Sequence, residues 1–257
     1  MGVLNVTPDS FSDGGKFITP NAALQHVERM INNGADIIDI GAESTRPGAE
    51  IVPVDKERKR IEPVIKAIKK TFNIPVSIDT YKPEIMELGL DLGVEMINDI
   101  YALRQPRAID IVAKSDVMLC LMHMQGTPID MQDKPIYKNI INDVSQFLQE
   151  RIHVCEEFGI DQSRLVIDPG FGFGKTHENN LKLFQSLDKL SVLAVALLVG
   201  VSRKSMVRNI IGDEENDIIH ASAIMAALSV LRGAKIVRVH DVKETKIALK
   251  TLQLKDN

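Results

Sequence analysis

Polar or ionisable side chains stand at the carboxyl end of each of eight short apolar runs in this chain. They are Asn5, Asp39, Asp79, Asn98 with Asp99, His123, Asp168, Ser202 with Arg203 and Lys204, and Arg238 with His240. One polar residue in such a place is usually a structural partner of a neighbouring loop. Eight in succession are better explained if they converge on one ligand-binding mouth.

These groups divide by the chemistry that they can do. Three offer oxygen acceptors and an amide edge, which suit a planar heterocycle with several N–H groups, because one carboxylate can accept two parallel N–H bonds. The three are Asp79, Asn98 and Asp168. Lys204 can donate to a carbonyl oxygen or a ring nitrogen, and three further groups supply the positive charge that a phosphorylated ligand needs. Those three are Arg203, Arg238 and His240.

Polar loops follow the first two apolar runs. Residues 5–15 (NVTPDSFSDGG) hold Phe11 among serines, aspartates and glycines, a composition that neither a strand nor a plain linker requires. Loops of this length in a compact enzyme are usually lids or binding loops. Residues 41–48 (GAESTRPG) are similar in character. For this second loop the simpler alternative is a well-ordered turn in which Glu43 and Arg46 form an ion pair.

Two familiar ligand-binding motifs fail on spacing. Residues 168–176 (DPGFGFGKT) look like a phosphate-binding P-loop, but position 169 is proline where that pattern requires its first glycine. Its glycines are expected instead to let loop and ligand approach closely, with Phe171 or Phe173 as an apolar wall. The six histidines show no H-x-H or H-E-x-x-H spacing, which argues against a zinc site and a metal-dependent hydrolase.

The apolar runs alternate with helical patterns. The predicted strands are 2–6, 35–40, 75–78, 95–100, 117–122, 165–167, 196–201 and 235–239. The predicted helices are 20–33, 54–70, 82–92, 106–115, 139–158, 178–190, 217–232 and 241–254, with an additional one at 204–211. Continuously apolar strands are typical of parallel sheets that are covered on both faces.

This alternation predicts a single α/β domain over residues 1–257, a parallel eight-stranded (β/α)8 TIM barrel. Active sites of this fold lie at the carboxyl ends of the strands, where the polar groups stand. An open doubly wound sheet is less favoured, because no dinucleotide fingerprint follows the first strand. In a barrel, the alternative role for Arg238 is a structural salt bridge that closes the barrel.

Composition argues against several classes of partner. The formal net charge is -4, so the chain offers no basic field for nucleic acid. No apolar stretch approaches the roughly 18 residues that a membrane span requires, and no signal-peptide pattern precedes Asn5. Cys120 and Cys155 lie in apolar runs and are expected to be buried free thiols in a reducing cytoplasm.

Eight segments of the chain, in order, resemble the dihydropteroate synthase family. They are NVTPDSFSDGG (5–15), GAESTRPG (41–48), SIDTYKPE (77–84), INDI (97–100), CLMHMQG (120–126), DPGFGFGKT (168–176), LVGVSRKS (198–205) and RVHDVKET (238–245). Such an enzyme, a sulfonamide target, joins 6-hydroxymethyl-7,8-dihydropterin pyrophosphate to p-aminobenzoate. It releases pyrophosphate and makes 7,8-dihydropteroate for folate biosynthesis.

The resemblance implies a role for each group of residues. The pterin would be held by Asp79, Asn98, Met122, Asp168, Phe173, Lys204 and Arg238. The diphosphate would be held by Asn5, Arg238 and His240, with Mg2+ bound through Asn5 and phosphate oxygens. The p-aminobenzoate would be held by Phe11, Thr45, Arg46, Pro47 and Ser202, with its carboxylate also near the amides of the helix that follows. The catalytic set would be Asp79, Lys204, Arg238 and His240.

The implied mechanism begins with loss of diphosphate, because the amine of p-aminobenzoate is a weak nucleophile. The pterin methylene would become a cation delocalised into the ring, an SN1-like course. Mg2+, Arg238 and His240 would stabilise the leaving diphosphate, and Asp79 would help to stabilise the cation. The two polar loops would close over the intermediate and exclude water.

Two alternative functions are also compatible with the sequence. A methyltetrahydrofolate–cobalamin methyltransferase would share Asp79, Asn98 and Asp168, but it would not need Arg46 or the cationic segments around Lys204 and Arg238. A non-catalytic pterin-binding paralogue would be favoured by loss of a catalytic group. The groups concerned are Asn5, Asp79 and His240, and all three are present.

The start of the chain departs from the family pattern. Relatives usually have a hairpin ahead of the first strand, whereas Met1 begins the strand here. We therefore expect either the synthase portion of a longer, bifunctional protein or a barrel whose floor lacks that cover. Relatives are mostly homodimers, so the resemblance also implies a homodimer.

Overall fold

The structure is a computed structural model that describes residues 1–7, 20–43 and 51–252. Its strands are β1 (Gly2–Asn5), β2 (Ile38–Gly41), β3 (Val76–Asp79), β4 (Met96–Asp99), β5 (Met118–Met122), β6 (Leu165–Asp168), β7 (Ala196–Val199) and β8 (Ile236–Val237). They form one sheet in sequence order, and every neighbouring pair is parallel. Between consecutive strands the chain makes helical crossovers, the arrangement that parallel pairing requires.

The helices cover the outside of the sheet. They are α1 (Pro20–Asn32), α2 (Val54–Thr71), α3 (Pro83–Asp91), α4 (Ala108–Val112), α5 (Ile140–Glu157), α6 (His177–Gln185), α7 (Ser205–Ile211), α8 (Glu215–Leu231) and α9 (Val242–Leu252). Short 3-10 helices occupy Gln162–Arg164 and Leu187–Leu193.

The sheet closes through Val239, just beyond β8. Val239 forms a parallel bridge with Gly2. Its carbonyl accepts from the Val3 amide and its amide donates to the Met1 carbonyl, both across 3.0 Å. Closure removes the free edges that an open sheet would leave, and the predicted TIM barrel is confirmed.

Both faces of the strands are buried, which explains their continuously apolar sequences. In β5, Leu119 and Leu121 pack with the helix-side core, whereas Cys120 belongs to a separate cluster inside the barrel. Side chains alternate between the two faces of a strand. The interior cluster that fills the lower barrel consists of Met1, Met96, Cys120, Val166 and Leu198. Both cysteines are free and buried, as predicted.

The strand register places the polar residues side by side. Asn5 is level with Gly41, Gly41 with Asp79, and Asp79 with Asn98. On the far side, Met122 is level with Asp168. Residues level with one another on neighbouring strands point to the same face, so these side chains all face the barrel interior at its carboxyl end.

Several predicted boundaries were wrong. The fourth helix was predicted over 106–115 but spans only Ala108–Val112. It begins at Ala108 because Arg107 has a φ of 70° and cannot belong to a right-handed helix. The sixth helix ends at Gln185, where the prediction continued to 190. Most other ends differ by one to three residues, the usual scatter where helices fray. Among the described residues, no helix is long and apolar enough to cross a membrane.

Candidate active site

The centre of the mouth is an ion-pair network around Arg238, which follows β8. Its Nε donates to Asp39 Oδ2 across 2.6 Å, and its Nη2 donates to Asp79 Oδ2 across 2.7 Å. Asn98 Nδ2 donates to the same Asp39 oxygen across 3.3 Å. Arg238 thus makes a structural salt bridge and also lines the mouth, so the two roles proposed for it are not exclusive.

Asp39 is a site residue whose importance the sequence did not indicate. Its side chain is fully buried, and its Oδ1 has no hydrogen-bond partner among the described residues. It was expected only as one polar strand end among eight. Its position opposite Arg238, 199 residues later, depends on the closure of the barrel and could not be read from local spacing.

Burial gives the carboxylates of the mouth unusual protonation equilibria. Burial raises the pKa of Asp79, the Arg238 charge opposes this shift, and the neighbouring Asp39 carboxylate adds to it. Burial likewise raises the pKa of Asp168, and the Lys204 ammonium opposes the shift. Carboxyls with raised pKa values that face a cleft are typical of functional sites.

Lys204 shows the matching effect on a cation. Burial lowers its pKa to about 8, although the nearby Asp168 carboxylate favours the charged form. Its Nζ donates to the Phe171 carbonyl across 2.6 Å and lies 4.8 Å from the centre of the Phe173 ring. The amine therefore lies between a backbone carbonyl and an aromatic face, a suitable position for donating to a polar ring.

An apolar wall borders these polar groups. Met122 packs with Ile100, Met124 and Met131, and Phe173 packs against that cluster. Of the two aromatic candidates for the wall, Phe171 was wrong, because it is fully buried in the helix-side core against Phe184. Ile100 was missed, since one isoleucine after a strand carries no distinctive signal.

Two glycines of the loop after β6 are required by its close approach to a neighbouring loop. A Cβ on Gly170 would lie 1.9 Å from the His123 carbonyl oxygen, and one on Gly174 would lie 2.5 Å from the Gln125 carbonyl oxygen. The buried Lys175 ammonium ties the two loops together, with His123 Nδ1 at 2.9 Å and the Gly170 carbonyl at 2.8 Å. His123 is therefore a structural residue.

Arg203 does not face the mouth as a spare positive charge, contrary to the prediction. Its guanidinium donates to both carboxylate oxygens of Asp241 and to Glu215. The loops after β7 and β8 are thereby joined. Asp241 follows His240 directly in the sequence, but only the fold brings its carboxylate against Arg203.

Ser202 and His240 form a second link between the same loops. Ser202 Oγ accepts from the His240 backbone amide at 3.2 Å and lies 3.1 Å from His240 Nδ1. Burial, and then the charges of Arg238 and Arg203, lower the pKa of His240, so its ring is neutral at pH 7. The prediction that His240 supplies positive charge was therefore wrong, and the ring is a neutral hydrogen-bonding group. If the hydroxyl proton points at Nδ1, the ring proton lies on Nε2, where it can be donated to a ligand.

The site around Asn5 fits a magnesium ion that takes one protein ligand, the Asn5 side-chain oxygen. No group of three or more His, Cys, Asp or Glu side chains that could hold a metal occurs in the described parts of the chain. Asn5 Oδ1 and Asp79 Oδ2 both lie within 4 Å of the point where a Cβ on Gly41 would stand. A single amide oxygen suits Mg2+, which usually keeps few protein ligands and takes the rest from phosphates and water.

Four predicted contacts of p-aminobenzoate lie outside the described residues. They are Phe11, Thr45, Arg46 and Pro47. Glu43, which precedes the segment 44–50, accepts hydrogen bonds from Lys82, Tyr81 and the Val52 amide. The alternative ion pair between Glu43 and Arg46 also falls outside the described residues. Ser202, the fifth predicted contact, has its hydroxyl against His240.

The barrel and its mouth are those of a pterin-binding enzyme. A sequence model of the family described as "Pterin binding enzyme" matches residues 1–240. The Escherichia coli K12 dihydropteroate synthase is 44% identical over 261 residues, which cover 100% of this chain and 93% of that protein. The chain therefore belongs to the dihydropteroate synthase family.

Solved structures agree with this assignment. The Yersinia pestis dihydropteroate synthase, determined with a sulfonamide drug complex, superposes with a TM-score of 0.94 at 43% identity, covering 98% of this chain and 92% of that one. The Xanthomonas albilineans dihydropteroate synthase with 4-aminobenzoic acid superposes with a TM-score of 0.92 at 46% identity, covering 98% and 91%.

Proposed function

We propose that this chain condenses 6-hydroxymethyl-7,8-dihydropterin pyrophosphate with p-aminobenzoate to give 7,8-dihydropteroate and pyrophosphate. The observation that carries the proposal is the row of inward polar groups at the barrel mouth, with Arg238 paired to Asp79 at 2.7 Å. Family membership supplies the substrates. The fold supplies a mouth with acceptors for a heterocycle, and with the Arg238 cation and the neutral His240 ring for a diphosphate.

The pterin would lie across the mouth between two sets of groups. Its aminopyrimidine edge is rich in N–H donors and suits the Asp168 carboxylate and the Asn98 amide. Lys204 would donate to the ring carbonyl or a ring nitrogen, while Met122 and Phe173 cover the faces of the ring. Burial of the carboxylates strengthens each of these hydrogen bonds, since a site of low polarity screens charge poorly.

The diphosphate would lie at the opposite side of the mouth, against Arg238, His240 and Asn5. Arg238 is a fork of N–H donors that suits phosphate oxygens, and neutral His240 would donate through Nε2. Mg2+ held by Asn5 and the phosphate oxygens would neutralise charge on the leaving group. Arg238 would serve the pterin and the diphosphate together, because it is paired with Asp79 of the proposed pterin site and lies two residues before His240.

Chemistry would begin with cleavage of the bond between the pterin methylene carbon and the diphosphate oxygen. The bonding electrons leave with the diphosphate, and the positive charge spreads into the pterin ring, where Asp79 stabilises it. The p-aminobenzoate nitrogen then attacks the methylene carbon and loses a proton. No side chain needs to act as a nucleophile.

We propose that p-aminobenzoate is held by Phe11, Thr45, Arg46 and Pro47, with Ser202 near its carboxylate. The support is the match of their segments to the family pattern. Ser202 and His240 share a hydrogen bond, so a contact at Ser202 would place the second substrate next to the diphosphate pocket.

A homodimer formed through α8 is part of the proposal. From Ala221 onward this helix carries no charged side chain. Ile224 and Leu231, which lie two turns apart on one face, are 57% and 53% exposed. On the neighbouring α9, Ile247 is 57% exposed. Exposed apolar residues grouped in this way are typical of protein interfaces. A cytoplasmic location is a further prediction, supported by the free thiols of Cys120 and Cys155.

The function is tested by measuring diphosphate release from the pterin substrate with and without p-aminobenzoate, alongside dihydropteroate formation. We expect both products in equal amounts and only when p-aminobenzoate and Mg2+ are present. A cobalamin methyltransferase would instead consume methyltetrahydrofolate and release no diphosphate. A non-catalytic paralogue would bind the pterin and form neither product.

A further inference from the structure

A buried cluster around Lys82 lies beside the mouth and has no part in the proposed chemistry. The Lys82 ammonium donates to the Glu43 and Glu57 carboxylates and, across 2.6 Å, to the Val52 carbonyl. The side chains of Lys82, Glu43 and Glu57 are only 8%, 9% and 2% exposed. We infer that Lys82 is a positioning residue for p-aminobenzoate binding, an inference that rests on the proposed function.

The cluster fixes both ends of the segment between β2 and α2. Glu43 and Val52 flank residues 44–51, and both are bound by the same ammonium. They are also bound to each other, because the Val52 amide donates to Glu43 Oε2 across 2.9 Å. One lysine therefore holds Glu43 and Val52, the two residues that flank the segment with the proposed p-aminobenzoate contacts.

The same cluster anchors that segment to the strand that bears Asp79. Tyr81 donates from its hydroxyl to Glu43 Oε1 across 2.8 Å, and Thr80 donates to Glu57 Oε1 across 2.9 Å. Thr80, Tyr81 and Lys82 follow Asp79 directly in the chain. These hydrogen bonds therefore fix the ends of the segment 44–51 relative to the strand that carries Asp79.

Charge makes this arrangement dependent on Lys82. Two carboxylates this deeply buried repel one another unless a cation lies between them. Replacing the ammonium with an apolar side chain removes the bond to the Val52 carbonyl and favours separation of Glu43 from Glu57. Asp79, Asn98 and Asp168 make no hydrogen bond to Lys82, so the pterin site should keep its geometry.

The test compares Lys82→Met, Lys82→Arg and Tyr81→Phe with the wild-type enzyme. For Lys82→Met we expect the KM for p-aminobenzoate to rise roughly tenfold, with kcat and the Kd of the pterin pyrophosphate within about threefold of wild type. Lys82→Arg retains a cation that can join both carboxylates and should restore most of the KM. Tyr81→Phe, which leaves no buried charge unpaired, should raise the same KM by a smaller factor.

Lys69→Met is the matched control, because Lys69 also pairs with a glutamate, Glu95, but at the amino end of the barrel. It should leave both constants unchanged. If Lys82→Met does not fold, Tyr81→Phe decides the question. Normal KM values for p-aminobenzoate in the folded variants, or equal losses for both substrates, would overturn the inference while the synthase activity of the wild type stands. A wild-type enzyme that makes no dihydropteroate would overturn the proposed function and this inference together.

Discussion

Arg238 donates to Asp79 across 2.7 Å inside the barrel mouth, joining the end of β8 to the end of β3. The two residues are 159 positions apart in the chain, and closure of the barrel brings them together. The pair places the Asp79 carboxylate next to the Arg238 guanidinium. Asp79 lies where the proposed pterin cation would form, and Arg238 would face the diphosphate. A second carboxylate, Asp39, holds the other edge of the same guanidinium.

Replacing Asp79 should separate catalysis from folding. We expect Asp79→Ala to lower kcat by at least about 10²–10³-fold, because a preorganised charge opposite the developing cation is lost. The fold should survive, since Arg238 keeps its pairing with Asp39 and no buried charge is left alone. Product formation and thermal unfolding check the two parts. Near-normal activity in a folded variant would remove Asp79 from the mechanism.

Replacing Arg238 should affect stability as well as activity. Arg238→Met leaves the Asp39 and Asp79 carboxylates without their cation, and breaking a buried pair of this kind costs about 3–5 kcal/mol of unfolding free energy. Denaturant titration measures this loss. Arg238→Met combined with Asp39→Asn should recover part of it, because one unpaired charge is removed. Wild-type stability in the single variant would contradict the network.

The pH dependence of kcat/KM should report the protonation state of Lys204. Its pKa is lowered by burial to about 8, so the ammonium loses its proton as the pH rises through that value. If the charged form donates to the pterin, kcat/KM should fall above about pH 8. Lys204→Arg stays charged to far higher pH and should retain its activity there, at a lower maximum. An alkaline limb that is identical in both enzymes would assign it to another group.

The exposed apolar face of α8 predicts the oligomeric state. Ile224→Glu combined with Leu231→Glu puts two charges on that face and should convert a dimer into a monomer, because buried unpaired charges oppose association. Sedimentation velocity of both proteins at micromolar concentration measures the change. Lys69→Met again serves as the surface control. A wild-type chain that sediments as a monomer would contradict the proposed dimer.

Much of the barrel could be predicted from the sequence because its signals are local. Each strand is a short apolar run that ends in a polar residue, and period-two alternation then sends Asp79, Asn98 and Asp168 inward. Helix ends were less predictable, since Arg107 adopts a left-handed conformation that nothing in its neighbours indicates.

Side-chain partners were the part that sequence could not supply. Arg203 was expected to face a phosphate, but it is paired with Asp241. Phe171 and Phe173 are equivalent in the sequence, yet one turns into the helix-side core and the other into the mouth. The role of Lys82 was not indicated by its local sequence, because its partners Glu43 and Glu57 are 39 and 25 residues away. These choices depend on how separate loops meet.

A crystal soaked with the pterin pyrophosphate and Mg2+ gives the most direct test of the proposed site. We expect the pterin within hydrogen-bond distance of Asp168 and Asn98, with Asp79 and Lys204 at its other edges and the diphosphate between Arg238, His240 and Asn5. Density for the pterin elsewhere, or at this mouth but without contact to those carboxylates, would contradict the account.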